Sequence, residues 1–283
     1  MKKIIPIIIA VVVFASCDKI NKPYRNIDPL PSLCDTPSFA AITANDVFQK
    51  YLLEDYTGQE CMNCPKAHIV AKDIKNKMQD TLVLVAIHAG HFAEPKPKTD
   101  NCSFYADYRT EAGEIYSGSE GFNVGFPSGL INRMGKKVWS PNDWKLCFDT
   151  LTRNVPTIGL QIIAEYDMEQ DAACVFVNTT LFSNASSNLR LCVFLTESNI
   201  ISPQKSTSET ICEYEHNHML RKAINHPWGD NLNISSNGES LIKAYSCSFS
   251  GTSWKKENCH LIAFVYNEGT QEIIQVEEIK LIP

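Results

Sequence analysis

The chain has 283 residues, of which 44% are hydrophobic and 20% charged, so it can bury a substantial core without relying on disulfides. Its 26 basic and 32 acidic side chains give a formal net charge of −6. This balance excludes nucleic-acid binding through a basic surface and gives no basis for charge-driven attraction to anionic lipid. Because a chain of this length can fold without disulfides, small size does not explain its eleven cysteines.

Residues 1–16 are predicted to be a signal peptide. Lys2 and Lys3 precede an apolar run over residues 4–14, which is shorter than the ~20 residues that a spanning helix needs. A cysteine directly after Ala-Ser resembles the bacterial lipobox, and this resemblance makes Cys17 the lipid-modified first residue of the mature protein. The alternative is an ordinary secretory signal in which Cys17 has no such role.

The mature protein is expected to be anchored to a membrane of the cell envelope, outside the cytoplasm, through Cys17. No later run is long enough and free enough of charge to cross a bilayer. Residues 17–38 are rich in proline and are predicted to be a tether between the membrane and the fold. Outside the reducing cytosol, the ten other cysteines can form disulfides.

Residues 39–154 alternate helical and strand patterns. The apolar run at 82–88 is typical of a strand that is covered on both faces. The predicted elements are a helix at 39–51, a strand at 52–57, a helix at 65–78, a strand at 82–88, a helix at 105–116, a hairpin of 128–132 with 136–139, and a helix at 142–153. After the first helix the order is β-α-β-α-β-β-α.

From residue 157 onward the hydrophobic period changes to two, which indicates strands and predicts a β-sandwich domain over residues 155–283. Alternating apolar residues at 160, 162, 164 and 166 indicate a first strand. Further strands are predicted at 173–182, 189–196, 241–250, 260–266 and 272–281. Residues 202–240 are predicted to be a long loop containing Trp228, as a contact residue or a packed aromatic. His216 and His218 in this loop either anchor it or hold a metal.

The positions of several cysteines suggest disulfide partners or core thiols. A hairpin of the strands at 241–250 and 260–266 would place Cys247 and Cys259 on one buried side, as a disulfide or as two core thiols. Cys102 is either a third redox cysteine or half of a structural bridge, for which Cys34 is the first partner to test. The predicted helix at 142–153 carries Cys147, as a core thiol or a bridged one.

Cys61 and Cys64 form a CxxC between a predicted strand and a predicted helix. The free N–H groups at a helix N-terminus stabilise a thiolate, so Cys61 is the expected nucleophile and Cys64 the resolving cysteine. Pro65 suits the first helical turn, and Glu60 is expected to oppose thiolate formation. The alternatives are a structural disulfide and half of a metal site, although the chain has no second CxxC.

Phe126 and Pro127 precede the third core strand, where a cis-proline would face such a CxxC. Phe126 would then present its backbone to an extended substrate. His88 and His91 follow the strand at 82–88 and are expected at the same edge of the sheet as the CxxC. His88 either tunes a thiol or binds a metal with the cysteines, or it is a hydrogen-bonded loop histidine.

This arrangement resembles thioredoxin over residues 39–154. A wider resemblance rests on the motifs YTGQ at 56–59, CMNC at 61–64, IHAG at 87–90, GFP at 125–127 and HNHMLR at 216–221. Together with the lipoprotein start, these motifs are similar to those of the outer membrane protein 28 family. The resemblance implies an envelope lipoprotein with a thioredoxin-like domain followed by an immunoglobulin-like β domain.

The fold class expected is thus α/β plus all-β, with the thioredoxin-like domain at 39–154 and an immunoglobulin-like sandwich at 155–283. We expect an outer-membrane lipoprotein that carries out thiol–disulfide exchange on a protein or peptide through Cys61 and Cys64. The alternative is a non-enzymatic adhesin or receptor in which the thioredoxin fold is a scaffold and the disulfides are structural. Neither hypothesis requires a cofactor, a metal or a nucleic acid.

Overall fold

The computed structural model describes residues 34–151, 154–185 and 188–282. Over these residues the chain is a mixed α/β protein in which strands predominate and lie in several sheets. The predicted signal peptide at 1–16 and the predicted lipid-bearing Cys17 lie outside the described residues. None of the helices that the structure describes is both long and apolar enough to span a membrane.

The helices and the strands are each numbered in chain order. The helices are α1 (Cys64–Met78), α2 (Glu111–Ser117) and α3 (Pro141–Thr150). The strands are β1 (Tyr51–Thr57), β2 (Leu82–His88), β3 (Ser128–Ile131), β4 (Val138–Trp139), β5 (Ile158–Asp167), β6 (Ala172–Leu181), β7 (Leu189–Glu197), β8 (Ile200–Lys205), β9 (Thr210–His216), β10 (Met219–Ala223), β11 (Asp230–Leu232), β12 (Ser240–Ser248), β13 (Cys259–Asn267) and β14 (Ile273–Lys280).

One nine-stranded sheet contains strands from both ends of the chain. Its order is β14-β13-β7-β10-β2-β1-β3-β4, and β11 pairs with β7 beside this path. β1 and β2 run parallel, with Thr57 opposite His88. β10 joins β2 through Met219, opposite Ala86. Strands on both sides of the domain boundary predicted after residue 154 therefore share one sheet.

Alternate residues of β1 enter different cores, because successive strand residues point to opposite faces. Leu53 packs in the core that contains Ala71 of α1. Leu52 packs on the other face, in a core that contains Phe194 of β7. A third core fills the space between the main sheet and a second sheet of order β12-β6-β5. β8 and β9 form a separate two-stranded sheet, called the covering hairpin below.

The helix predicted over residues 39–51 is wrong, because this segment is irregular until β1 begins. Side chains from distant strands take up its backbone hydrogen bonds. Gln161 Nε2 donates to Ala40 O at 3.1 Å, and Gln275 Nε2 donates to Phe48 O at 3.1 Å. These partners lie more than 100 residues away, so the spacing of apolar residues within the segment does not reveal them.

Only the second half of the helix predicted at 105–116 forms. α2 begins after Thr110, whose side chain caps it by accepting a hydrogen bond from Gly113 N at 3.0 Å. Before this cap, Ala106 O accepts a hydrogen bond from Gln59 Nε2 at 2.7 Å. This hydrogen bond holds the residues before Thr110 against the loop after β1, so that they do not form a helical turn.

The hairpin predicted between β12 and β13 is wrong. β12 pairs with β6, whereas β13 pairs with β7 and β14, so the two strands lie in facing sheets. Cys247 and Cys259 consequently share the core between those sheets, where both are buried thiols. Of the two alternatives left open by the sequence, the structure therefore shows two core thiols. Cys147 on α3 is also a buried thiol.

The bridge predicted between Cys34 and Cys102 is also wrong. Cys34 is bonded to Cys174 on β6, and Cys102 is bonded to Cys212 on β9. The first bond fastens the irregular segment before β1 to the second sheet. The other bond fastens the connection between β2 and α2 to the covering hairpin. Pairing across the two halves of the chain depends on the tertiary fold, which cysteine spacing does not contain.

Candidate functional site

Cys61 and Cys64 lie where the chain passes from β1 into α1, and they form a disulfide with their Cα atoms 5.4 Å apart. Pro65 occupies the first turn of α1, as predicted. The N-cap residue Asn63 makes no side-chain capping hydrogen bond. In the first turn, Cys64 N donates to Cys61 O and Lys66 N donates to Asn63 O, both at 3.2 Å. Both cysteines are buried, and Cys61 is only 2% exposed.

The peptide bond between Phe126 and Pro127 is cis, as predicted for this position. Pro127 directly precedes β3, whose first residue, Ser128, pairs with Tyr56. Pro127 therefore lies beside the end of β1, from which the CxxC loop emerges. The ring of Phe126 packs on that of Phe92, with centroids 6.0 Å apart.

Asp55 is a buried carboxylate that the sequence analysis did not single out. It lies on β1, six residues before Cys61, and shares the face of Leu53 that is covered by α1. Its Oδ1 has no hydrogen-bond partner among the described residues, and Oδ2 is 3.8 Å from His68 Nε2. Burial raises the pKa of Asp55 to about 8. The available signal was a pair of adjacent acids, Glu54 and Asp55, inside a strand that is mostly apolar.

His68 connects Asp55 to the covering hairpin. It lies four residues after Cys64 on α1, which places the two side chains on one face of the helix. Its Nε2 is 2.9 Å from Thr57 Oγ1, and its Nδ1 is 2.8 Å from Tyr214 OH on β9. Burial, with a smaller contribution from His216, lowers the pKa of His68 to about 3. This imidazole is therefore neutral at physiological pH.

His88 is buried at the end of β2, where its ring contacts other rings. Its centroid is 5.4 Å from that of His216 and 5.6 Å from that of Tyr108. Neither ring nitrogen of His88 has a hydrogen-bond partner in the described part of the chain. Burial, followed by the charges of nearby groups, lowers the pKa of His88 well below its usual value. The role of thiol tuner therefore stays a prediction for this residue.

Four of the seven histidines line a single cavity of about 590 Å³ between α1, β2 and the turn from β9 to β10. Asp55 and Tyr214 also line it. The four histidines are His68, His88, His216 and His218. Burial lowers the pKa values of His216 and His218 to about 4. Within the described ranges, no three His, Cys, Asp or Glu side chains are arranged to hold a metal ion.

The covering hairpin was missed because residues 202–240 were predicted to be a loop. In the structure β9, β10 and β11 lie within that range, and β8 overlaps its start. The signal was present in β9, where Tyr214 alternates with Glu213 and Glu215. This hairpin supplies Tyr214 to His68 and also covers the CxxC loop, so it belongs to the site.

Comparison with known proteins gives a family and a fold. The family model for the outer membrane protein Omp28 matches residues 120–282, more than half of the chain. HBP35 of Porphyromonas gingivalis has a similar fold, with a TM-score of 0.59 and 15% identity over 83% of this chain and 76% of that chain.

A domain of the outer membrane lipoprotein Omp28 from Porphyromonas gingivalis is 24% identical over 45% of this chain and 90% of that chain, with a TM-score of 0.30. No curated protein matches the chain.

Proposed function

The chain belongs to the Omp28 family of outer membrane proteins, and from this membership we propose that it is a lipid-anchored thiol–disulfide oxidoreductase of the cell envelope. In this proposal residues 1–16 are the signal peptide, Cys17 carries the lipid, and residues 17–38 are the tether. The substrate is an exposed disulfide or dithiol of another envelope protein. No nucleic acid and no cofactor takes part.

The proposal includes the finer architecture. A thioredoxin-like domain at 39–154 is supported by the order β1-α1-β2-α2-β3-β4-α3. An immunoglobulin-like domain at 155–283 is supported by the packing of the sheet β12-β6-β5 against β7, β13 and β14 of the main sheet. Because β10 continues the sheet beside β2, the second domain would be rigidly joined to the first.

The observation that carries the proposal is the Cys61–Cys64 disulfide at the start of α1, with the cis peptide of Pro127 beside the end of β1. When a disulfide at a helix N-terminus is attacked, the helix dipole stabilises the thiolate that leaves. The backbone of Phe126 would pair with an extended segment of the substrate. Glu60 opposes the thiolate less than its charge suggests, because Lys96 Nζ lies 3.2 Å from its carboxylate.

In the reducing direction, the Cys61 thiolate attacks a substrate disulfide and one substrate sulfur leaves as a thiolate. Cys64 then loses its proton to Asp55, attacks Cys61 Sγ in the mixed disulfide, and releases the second substrate thiolate. The substrate gains two electrons, and the protein forms Cys61–Cys64. With a pKa of about 8, a fraction of Asp55 is ionised near neutral pH and can accept this proton.

The test is the redox equilibrium of Cys61–Cys64 in the mature, full-length protein. The protein is held in graded thiol buffers, alkylated, and digested so that each disulfide is measured by mass spectrometry. A midpoint between about −120 and −270 mV would support exchange catalysis, whereas a pair still oxidised below about −300 mV would contradict it. The buried Cys174 and its partner Cys34 serve as an internal reference for a structural disulfide.

A second candidate is a non-enzymatic adhesin or receptor that binds a surface partner. It is favoured by the burial of both CxxC cysteines beneath the covering hairpin. In this case Cys61–Cys64 would behave as a structural disulfide in the same experiment. The site residues named above, including Phe126, Pro127 and His88, would then serve the fold alone.

A further inference from the structure

The covering hairpin lies directly on the CxxC loop. Gln204 Nε2 donates to the carbonyl oxygens of Gly58 and Cys61, both at 3.1 Å. Lys205 N donates to Gln59 O at 2.8 Å. Exchange requires a thiolate to reach a disulfide sulfur, so the rate depends on access. With these contacts in place, the Cys61–Cys64 disulfide is closed to an incoming thiol.

A second disulfide ties this hairpin to the opposite wall of the site. Cys212 on β9 is bonded to Cys102, which lies 110 residues earlier in the connection between β2 and α2. The same connection contacts the CxxC loop, since Gln59 Nε2 donates to Ala106 O at 2.7 Å. Cys102–Cys212 therefore fastens together the two segments that enclose Cys61.

The two disulfides differ in exposure. Cys212 is exposed and Cys102 is half-buried, whereas Cys61 and Cys64 are both buried. Because solvent access governs thiol–disulfide exchange, a thiol that approaches this side of the molecule meets Cys102–Cys212 first.

We propose that Cys102–Cys212 is a second thiol–disulfide exchange site, which takes dithiols as its substrate class, and that its reduction releases the covering hairpin from Cys61–Cys64. A thiolate of the dithiol attacks Cys212 Sγ, and the Cys102 sulfur leaves as a thiolate that takes a proton from water. The second thiol of the reductant then attacks the mixed disulfide and frees Cys212. The dithiol departs as a disulfide, and its two electrons remain on the two cysteine thiols.

After reduction, only non-covalent contacts hold the hairpin. They include the hydrogen bonds of Gln204, the 2.8 Å contact between Tyr214 OH and His68 Nδ1, and the ring contact of His216 with His88. A cross-link acts mainly by restricting the open states of the chain, so its loss raises the population of open forms. The proposal adds regulation to the proposed function, but it concerns access and holds equally for a structural Cys61–Cys64 bond.

The test follows the order of reduction in the full-length mature protein, with dithiothreitol as the probe. Samples are quenched with N-ethylmaleimide over time, and each disulfide is measured by peptide mass spectrometry. We expect Cys102–Cys212 to open first and Cys61–Cys64 to follow after a lag. In the double variant Cys102→Ser/Cys212→Ser, the lag should vanish and Cys61–Cys64 should be reduced at least about tenfold faster.

Two variants control for general loosening. Cys34→Ser/Cys174→Ser removes a disulfide from the second sheet and should leave the rate at Cys61–Cys64 within about twofold of wild type, since this bond joins the segment before β1 to β6 and not to the hairpin sheet. Gln204→Ala keeps both disulfides and should shorten the lag only in part.

Reduction of Cys61–Cys64 before Cys102–Cys212, or an unchanged rate in the folded double variant, would overturn the proposal. If circular dichroism shows that the double variant does not fold, the order in wild type decides alone. The redox midpoint tests the proposed function, whereas the lag tests access, so either proposal can fail while the other stands.

Discussion

Glu54 and Asp55 are adjacent on β1 and both are buried, but they point into opposite cores. Glu54 accepts hydrogen bonds from Arg133 Nε at 2.8 Å and Arg133 Nη2 at 2.6 Å. Aromatic rings surround that guanidinium, from Tyr116 at 4.6 Å to Trp228 at 5.8 Å. Asp55 instead faces a cavity, and its Oδ1 lacks a hydrogen-bond partner in the described part of the chain.

The comparison separates two uses of a buried carboxylate. Glu54 and Arg133 neutralise each other through two hydrogen bonds and join β1 to the end of β3, which suits a fixed structural contact. Arg133 Nη1 has no hydrogen-bond partner among the described residues. Asp55 has no such cation, and burial raises its pKa to about 8. A group that exchanges a proton near neutral pH, six residues before a CxxC in the sequence, suits acid–base chemistry. The four predictions below test this division, from the largest expected effect to the smallest.

Arg133→Met would leave the Glu54 carboxylate buried without its partner. We expect a loss of about 3–5 kcal/mol in the free energy of unfolding, measured by urea denaturation with the disulfides intact. The double variant Glu54→Leu/Arg133→Met removes both charges and should recover most of the loss. A single variant as stable as wild type would contradict a structural role for the pair.

Asp55→Asn should stabilise the protein in a pH-dependent way. The pKa of Asp55 is about 8 in the folded state against 3.8 as its ordinary value, so the folded protein holds a proton that the unfolded chain releases. Wild type should therefore lose stability relative to the variant as the pH rises from about 4 to about 8, by up to about 1.4 kcal/mol per pH unit.

The measurement is the urea unfolding free energy of both proteins across this pH range. Asp107 is the matched control, because Arg109 lowers the pKa of this exposed carboxylate. Asp107→Asn should give a smaller pH trend of opposite sign. A stability difference for Asp55→Asn that does not change with pH would show that Asp55 is ionised in the folded state.

The histidine cavity should make the protein sensitive to acid. Burial lowers the pKa of His216 from 6.5 to about 4, so its contribution to stability is present above pH 6.5 and is lost as the pH falls toward 4. His216→Gln should reduce the slope of stability against pH by about 1.4 kcal/mol per pH unit in this interval. Unfolding at pH 4, 5 and 6 measures the slope, and an unchanged slope would exclude titration of this residue.

Tyr214→Phe should have the smallest effect. It removes the hydroxyl 2.8 Å from His68 Nδ1 while keeping the ring, so we expect a loss of about 1 kcal/mol. Tyr105→Phe changes a ring that is 48% exposed and should be neutral in the same urea titration. Equal stabilities for the two variants would mean that the hydrogen bond between Tyr214 and His68 contributes nothing to the free energy of unfolding.

Several elements could be predicted from the sequence because their signals are local. β2 has the predicted bounds, and α1 differs from its predicted bounds by one residue. The long apolar run of β2 and the 3.6-residue period of α1 identify these elements without tertiary information. By contrast, residues 39–51 have helical spacing, but residues 39–50 are irregular and Tyr51 begins β1. Side chains of β5 and β14 donate hydrogen bonds to the backbone of this segment.

The candidate site divides in the same way. Cys61, Cys64 and Pro127 were predicted because a CxxC before a helix and a proline before a strand are recognisable in a few residues. Asp55 was missed, since an acid in a strand points to no function until its burial is known, and the adjacent Glu54 is buried in a structural pair instead. His68 was missed as well, because its partner Tyr214 is 146 residues away.

The sequence by itself determined the short-range features: the helix that begins at Cys64, the CxxC before it, and the alternation of the β strands. These depend on residues within one or two turns of each other. Only the tertiary structure decided that Met219 joins the two halves of the chain in one sheet, and that Gln204, 143 residues from Cys61, covers the disulfide. Contacts of that range, and the burial that raises the pKa of Asp55, arise only when distant segments pack together.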